Sequence, residues 1–205
     1  VICIRNVPVN LSVLGEEAKE TLPEIFQVFL EQEDASNEMS LSSSLFQALK
    51  IIENKYLNYE ELYVCSLSSE TIVYKGLMMP EGLKNFYLDI KNKKFKASTC
   101  LFHQRFSTNT APKWHLAQPF RLLAHNGEIN AIRGNRNWAK ARSSLFKSSL
   151  LPDLHKFENL INSDGSDSSA LDNMIQLLVE GGMDLFRAIR AVIPPAWQNI
   201  QILDP

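Results

Sequence analysis

Three polar clusters carry the residue types that could do chemistry, and each adjoins an apolar run. The first is HQRFSTNT, residues 103–110. Arg105 offers a planar guanidinium fork that matches a carboxylate, and Ser107, Thr108 and Thr110 add hydroxyls that can orient a small polar ligand. A polar strand end with a surface ion pair explains the same residues equally well. The second cluster is His125-Asn126-Gly127-Glu128. The Asn126 side-chain N–H and the Gly127 backbone N–H can converge on one oxygen, as an oxyanion hole requires. Taken alone, an Asn-Gly pair is more simply a tight turn. The third is NSDGSDSS, residues 162–169. Asp167, Ser168 or Ser169 suits the N-cap of the apolar helix that follows, while a carboxylate there could instead receive an ammonium group. A calcium loop fits poorly, because the terminal Glu of that motif is missing.

The remaining reactive side chains are dispersed. Cys3, Cys65 and Cys100 form no C-x-x-C pair and sit among apolar or small neighbours, so buried structural thiols are expected in a reducing compartment. The histidines at 103, 115, 125 and 155 lack metal-ligand spacing, so no metal site is expected. Arg133, Arg136, Lys140 and Arg142 around Trp138 recur at helical spacing and are read as a solvated helix face. A formal net charge of −2 argues against a nucleic-acid or anionic-membrane binder.

The elements that must position these clusters follow from periodicity and punctuation. Residues 13–20 read as a short helix ended before Pro23, and 25–30 as a strand in preference to a second helix. Acidic and Ser-rich residues 31–40 read as a loop. Leu41, Leu45, Leu49 and Ile52 mark an amphipathic helix over 41–55. Residues 62–67 and 71–75 suggest a β-hairpin, a short helix follows Pro80, and 91–96 is a basic turn. Residues 97–102 and 120–124 read as strands delivering the first two clusters. Helices are expected over 130–146, 170–180 and 184–193, the last ended by Pro194-Pro195. Paired strands followed by striped helices make this an α+β chain, or a layered αββα one.

With 205 residues, 45% apolar and 21% charged, the chain has the composition of an ordinary globular domain. No apolar run approaches the roughly 20 residues that span a bilayer, and Val-Ile-Cys-Ile at the start lacks the regions of a signal peptide. The first residue is Val and the last three are Leu-Asp-Pro, so the chain is expected to be a piece of a longer protein.

Together, His103-x-Arg105-Phe-Ser-Thr108, His125-Asn126-Gly127 and Ser166-Asp167-Ser168 resemble the class-II glutamine amidotransferases. The longer run HQRFSTNTAPKWHLAQPFRLLAHNGEINAIRGN resembles the amidotransferase domain of the glutamate synthases. RNVPVNLSVLG and GSDSSALDNMIQLL extend the likeness over nearly the whole chain. The surroundings of the motifs favour glutamate synthase over other class-II members, and a non-catalytic glutamine-binding module is the further alternative.

The resemblance implies an N-terminal-nucleophile hydrolase fold, a four-layer αββα sandwich incomplete at both ends, with residues 1–205 forming part of one amidotransferase domain. It assigns Arg105 to the glutamine α-carboxylate, with Thr108 beside it. It assigns Asn126 and Gly127 to the oxyanion hole, and Asp167 to the glutamine α-ammonium. It implies L-glutamine and 2-oxoglutarate as substrates and ferredoxin, or an NADPH-linked small subunit, as electron donor. FMN and a 3Fe-4S cluster are implied for the full-length protein, with none expected in this segment. VPVNLSVLGEEAKE points to the ferredoxin-dependent type, and hence to the plastid stroma, with a bacterial cytoplasm as the alternative. One departure stands out. The family's nucleophile is an N-terminal cysteine, and none of Cys3, Cys65 and Cys100 matches its place. The nucleophile is therefore expected upstream, and the 205 residues alone are expected to be inactive.

Overall fold

Ser40 opens the longest helix, its hydroxyl accepting the Ser43 N–H at 3.1 Å, and α2 (Leu41–Lys55) then runs to a C-cap at Tyr56. The computed structural model describes residues 1–32, 40–56, 62–105, 111–163 and 165–193. A second long helix, α5 (Asp167–Glu180), begins at its own serine cap: Ser166 accepts the Ser169 N–H at 3.1 Å. It ends at Gly182, whose φ of 98° is the left-handed turn that glycine enters without strain. Ser42 at the start of α2 donates to Glu180 at the end of α5, 2.7 Å away, which sets the two helices antiparallel. Between and beside them lies one core, formed by Phe46, Leu151, Leu154, Leu160 and Leu177. Helix α4 (Ile132–Arg142) and α6 (Leu185–Val192) pack against α5.

The other core belongs to the N-terminal half. Strands β1 (Cys3–Asn6) and β2 (Phe26–Phe29) pair antiparallel, with Cys3 opposite Phe29 and Asn6 opposite Phe26. Between them lies the short α1 (Glu16–Glu20), and α3 (Leu83–Phe86) follows a turn begun by Pro80. Leu14, Phe86, Tyr87 and Trp114 are buried together here. Gly76 lets the Trp114 ring approach, since a Cβ at that position would lie 2.7 Å from its Cζ3. Arg5 ties the ribbon to Asp89 by an ion pair.

The elements expected at 13–20, 25–30, 41–55 and after Pro80 are present, as are α4, α5 and α6 within a few residues, and 91–96 is an exposed turn. Helix α5 starts three residues earlier than expected, at Asp167, because Ser166 provides the cap. Most of the 31–40 loop and the Pro194-Pro195 stop lie outside the described residues.

Four expected strands are not strands. Residues 62–67, 71–75, 97–102 and 120–124 form no ladder. The reason is visible in where their backbone groups go. Val64 C=O accepts from Arg121, Val73 N–H donates to Ser66 Oγ, and Lys75 C=O accepts from Tyr87. The N–H groups of residues 121–123 all point at the Asp172 carboxylate. Residues 97–102 are exposed throughout and have no neighbouring strand. The β1 strand was not expected; Arg5 and Asn6 mask its pattern.

Candidate functional site

The segment from Trp114 to Ile129 runs from one core to the other and carries the second cluster. Trp114, Ala117 and Phe120 are buried and fix its path. Phe120 N–H closes a turn on Leu123 C=O, and Asp172, itself 1% exposed, accepts Leu122 N–H at 2.7 Å, Leu123 N–H at 3.1 Å and Arg121 N–H at 3.3 Å. Gln118 then grips His125 twice. Its Oε1 accepts His125 N–H at 2.7 Å, and its Nε2 donates to His125 C=O at 2.8 Å.

Beyond this grip the chain turns through Asn126 and Gly127, both exposed, and is caught again by the start of α5. Ile129 N–H donates to Asp167 Oδ2 at 2.6 Å, and Asp167 Oδ1 accepts Ser168 N–H at 2.5 Å. The His125 ring lies 2.9 Å from Ser168 Oγ, which is 3.1 Å from Asp167 Oδ1. Ser168 has one hydroxyl proton. If it goes to Asp167, the serine oxygen accepts from His125 Nδ1–H, which sets the tautomer. A Cβ on Gly127 would stand 3.3 Å from the His125 ring, so the turn passes close against it. Arg136 on α4 steadies the other side of the junction, donating to Gly165 C=O and Ser166 C=O at 2.5 and 2.9 Å.

Under the segment lies a buried set of charges. Arg121, its side chain 7% exposed, donates to Glu53 at 2.7 Å, and Glu53 bonds Lys50 at 2.8 Å. Burial pulls Lys50 below the usual lysine range, with Glu53 restoring only part. For Glu53, burial pushes upward, but Lys50 and Arg121 together outweigh it and hold the carboxyl below its ordinary value. Burial raises Asp172, against the backbone N–H groups and Arg121 that favour its charged form. Nearby, Lys75 donates to His115 C=O at 2.7 Å and lies over the Tyr63 and Phe120 rings; burial lowers it to about 8.

The structure thus brings Asn126, Gly127 and Asp167 into one junction. It does not join Arg105 to them. Arg105 is exposed, and its backbone N–H donates to His103 Nδ1 at 3.2 Å. Thr108 lies outside the described residues. The expected buried thiols are corrected at two positions: Cys3, on the exposed ribbon, and Cys100, in the exposed 97–102 segment, are both exposed. Cys65 is half-buried, and burial raises its thiol above the ordinary range. Among the described residues, no group of three or more His, Cys, Asp or Glu side chains converges as metal ligands would, and no helix is long and apolar enough to cross a membrane.

The family model for class-II glutamine amidotransferases matches residues 1–205. The chain belongs to that family. This amidotransferase segment is 42% identical over 199 residues to "Ferredoxin-dependent glutamate synthase, chloroplastic" of Oryza sativa subsp. japonica, covering 95% of the chain and 12% of that protein. It is 41% identical over 208 residues to the spinach (Spinacia oleracea) protein of the same name, covering 97% and 12%. It is also 42% identical over 202 residues to "Glutamate synthase [NADH]" of Saccharomyces cerevisiae, covering 95% and 9%. The chain therefore spans about an eighth or less of the relatives it matches, within the amidotransferase portion of glutamate synthases.

Four residues of this amidotransferase's junction escape a reading of its sequence: Gln118, Arg121, Arg136 and Asp172. Arg136 was assigned to a solvated face, and α4 does expose Arg133, Lys140 and Arg142, yet Arg136 turns inward to the Gly165 and Ser166 carbonyls. The one signal that could have found the others is their place inside the long runs 103–135 and 165–178, between the residues of the short motifs.

Proposed function

We propose that these 205 residues are the glutaminase portion of a glutamate synthase, part of one amidotransferase domain of the four-layer αββα N-terminal-nucleophile type. The observation that carries the reading is the 2.6 Å bond from Ile129 N–H to Asp167 Oδ2. It holds the Asn126–Gly127 turn and the acid in one unit, so an amide oxygen and an α-ammonium of one ligand can be met together. Asp167 has two oxygens with about four acceptor positions. Ile129 N–H, Ser168 N–H and Ser168 Oγ occupy three, which leaves Oδ2 able to take an ammonium proton. Arg105 takes the α-carboxylate, and Thr108 is the further substrate-binding residue that the family resemblance implies.

The attacking atom is a cysteine thiolate outside these residues. Cys65 does not suit the role, because burial keeps its thiol protonated. The thiolate sulfur bonds to the glutamine side-chain carbon, and the carbonyl electron pair moves to oxygen, where the Asn126 amide and the Gly127 N–H stabilise it. The pair returns, the C–N bond breaks, and the nitrogen takes up the proton that the thiol gave up and leaves as ammonia. Water then cleaves the thioester to glutamate and the free thiol. In the longer protein the ammonia serves reductive amination of 2-oxoglutarate, with ferredoxin as donor and the plastid stroma as location. Relatives named ferredoxin-dependent and chloroplastic support both assignments. FMN and a 3Fe-4S cluster belong to that second reaction in the longer protein; the cluster does not fit the residues here, whose three cysteines are unpaired and dispersed, with no converging ligand group among the described residues.

The test is glutamate formation by the full-length protein from 2-oxoglutarate and amide-labelled glutamine, with reduced ferredoxin or NADH. Label transfer supported by ferredoxin is expected. Label transfer with NADH alone corrects the donor, glutamine binding without ammonia release makes the chain a binding module, and absence of both removes the reading.

A further inference from the structure

Gln118 lies seven residues before His125 and touches none of the proposed ligand groups, yet it controls the backbone that carries them. We infer that Gln118 is a positioning residue for glutamine hydrolysis, its amide clamp on both backbone groups of His125 aiming the oxyanion donors of Asn126 and Gly127. The inference rests on the glutaminase reading above.

The argument begins with peptide planarity. His125 N–H belongs to the peptide plane of residues 124–125, and His125 C=O to the plane of residues 125–126. Fixing that N–H and that C=O fixes both planes, and the second contains the N–H and Cα of Asn126. The bonds of 2.7 and 2.8 Å close a ring that a carboxamide fits, since it has one acceptor and one donor side by side. The clamp itself is rooted. Ala117 and Phe120 beside it are each 3% exposed, and Ala117 N–H donates to Lys113 C=O at 3.1 Å. Downstream, the His125 ring is held at Ser168 and lies against Gly127, so the orientation of His125 reaches the second donor as well.

A small misorientation of oxyanion donors weakens the transition state more than the ground state, because charge develops on the oxygen only during attack. The clamp should therefore act on kcat rather than KM. A second signature comes from protonation. In Gln118→Glu an ionised carboxylate can accept from His125 N–H but repels His125 C=O. The protonated acid again has a donor beside an acceptor and restores the ring.

The experiment compares wild type, Gln118→Leu and Gln118→Glu in the full-length protein, measuring ammonia release from glutamine, ammonia-dependent glutamate formation and thermal melting. Gln118→Leu is expected to lose about 10- to 100-fold in kcat for glutamine, with KM changed less than about two-fold and ammonia-dependent turnover kept. The kcat of Gln118→Glu relative to wild type is expected to rise several-fold from pH 8 to 5.5, while the Leu ratio stays flat. If both variants keep wild-type kcat, the role is overturned. Equal loss of glutamine- and ammonia-dependent turnover with a lowered melt, and no pH rescue, reduces Gln118 to a structural residue and overturns it too. A wild type that releases no ammonia from glutamine removes the underlying reading and this role with it.

Discussion

Around Asn126 the backbone meets side chains at five of the nine residues 121–129: Asp172 at residues 121–123, Gln118 at His125 and Asp167 at Ile129. Around Arg105 the pattern is reversed. Residues 97–102 are exposed, and the Arg105 N–H is met by His103, two residues away. The two ends of one proposed ligand are thus served by unlike supports. The turn proposed as the oxyanion site and Asp167 are held by α5 and by a buried charge set, whereas Arg105, the proposed carboxylate partner, has a local contact to His103. Preorganisation matters most where charge develops during the reaction, and least where a long cation can reach a ligand already bound.

The sharpest way to break this contrast is at Asp172. Asp172→Ala leaves three part-buried N–H groups without their acceptor and takes a nearby negative charge from Arg121. Removing one partner from a buried charged set costs about 3–5 kcal/mol. A urea titration should show that loss as a lowered midpoint with unchanged slope. A change under about 1 kcal/mol would mean the segment is held by packing alone.

Arg105→Ala should behave in the opposite way. Stability should stay within about 0.5 kcal/mol, as for an exposed site. Glutamine kcat/KM should fall by about 2–5 kcal/mol through the lost carboxylate partner. A lowered melt with intact glutamine kinetics would remove Arg105 from the ligand and give it a structural role.

Lys75, between the two cores, provides a smaller effect with a defined pH window. The folded protein releases its proton near pH 8, the unfolded chain near 10.5. Between those values the unfolded state binds more protons, so stability rises with pH. Lys75→Met lacks that slope. From pH 7 to 10 the wild type should gain about 2–3 kcal/mol on the variant, and parallel stability curves would refute the lowered value. Smallest is the structural effect of Asp167→Asn. Ser166, not Asp167, caps α5, so the cap survives. The charge at the helix start, about 0.3–1 kcal/mol, and one of the two acceptor oxygens that meet Ile129 and Ser168, about 1 kcal/mol, are lost. Glutamine binding should weaken nonetheless. Unchanged affinity would leave Asp167 with its bonds to Ile129 and Ser168 alone.

The same contrast explains what could be read from the sequence. Local signals told the helices: the stripe of Leu41, Leu45, Leu49 and Ile52, the serine-rich approach to α5, the periodic apolar residues of α6. The short motifs marked Asn126, Gly127 and Asp167, and the structure brings these three to one junction through the Ile129 N–H. Apolar runs without a partner misled. Residues 120–124 have the composition of a strand, but Asp172, about 50 residues away, takes their N–H groups. Nothing within a local window foretells that acceptor. For Gln118 the partner is near in sequence, yet a lone Gln before Pro119 has no periodicity to mark it. The cap of α5 is Ser166 rather than the expected Asp167, Ser168 or Ser169, because four adjacent residues all suit that position.

Asn126→Ala tests the central claim, that the turn held against α5 is an oxyanion site, most directly. In the full-length protein, kcat for ammonia release from glutamine should fall about 10²–10³-fold, the usual effect of losing one such donor. KM, thermal stability and ammonia-dependent glutamate formation should stay near wild type. A variant that hydrolyses glutamine at the wild-type rate would contradict the claim, as would one that loses both activities together with its fold.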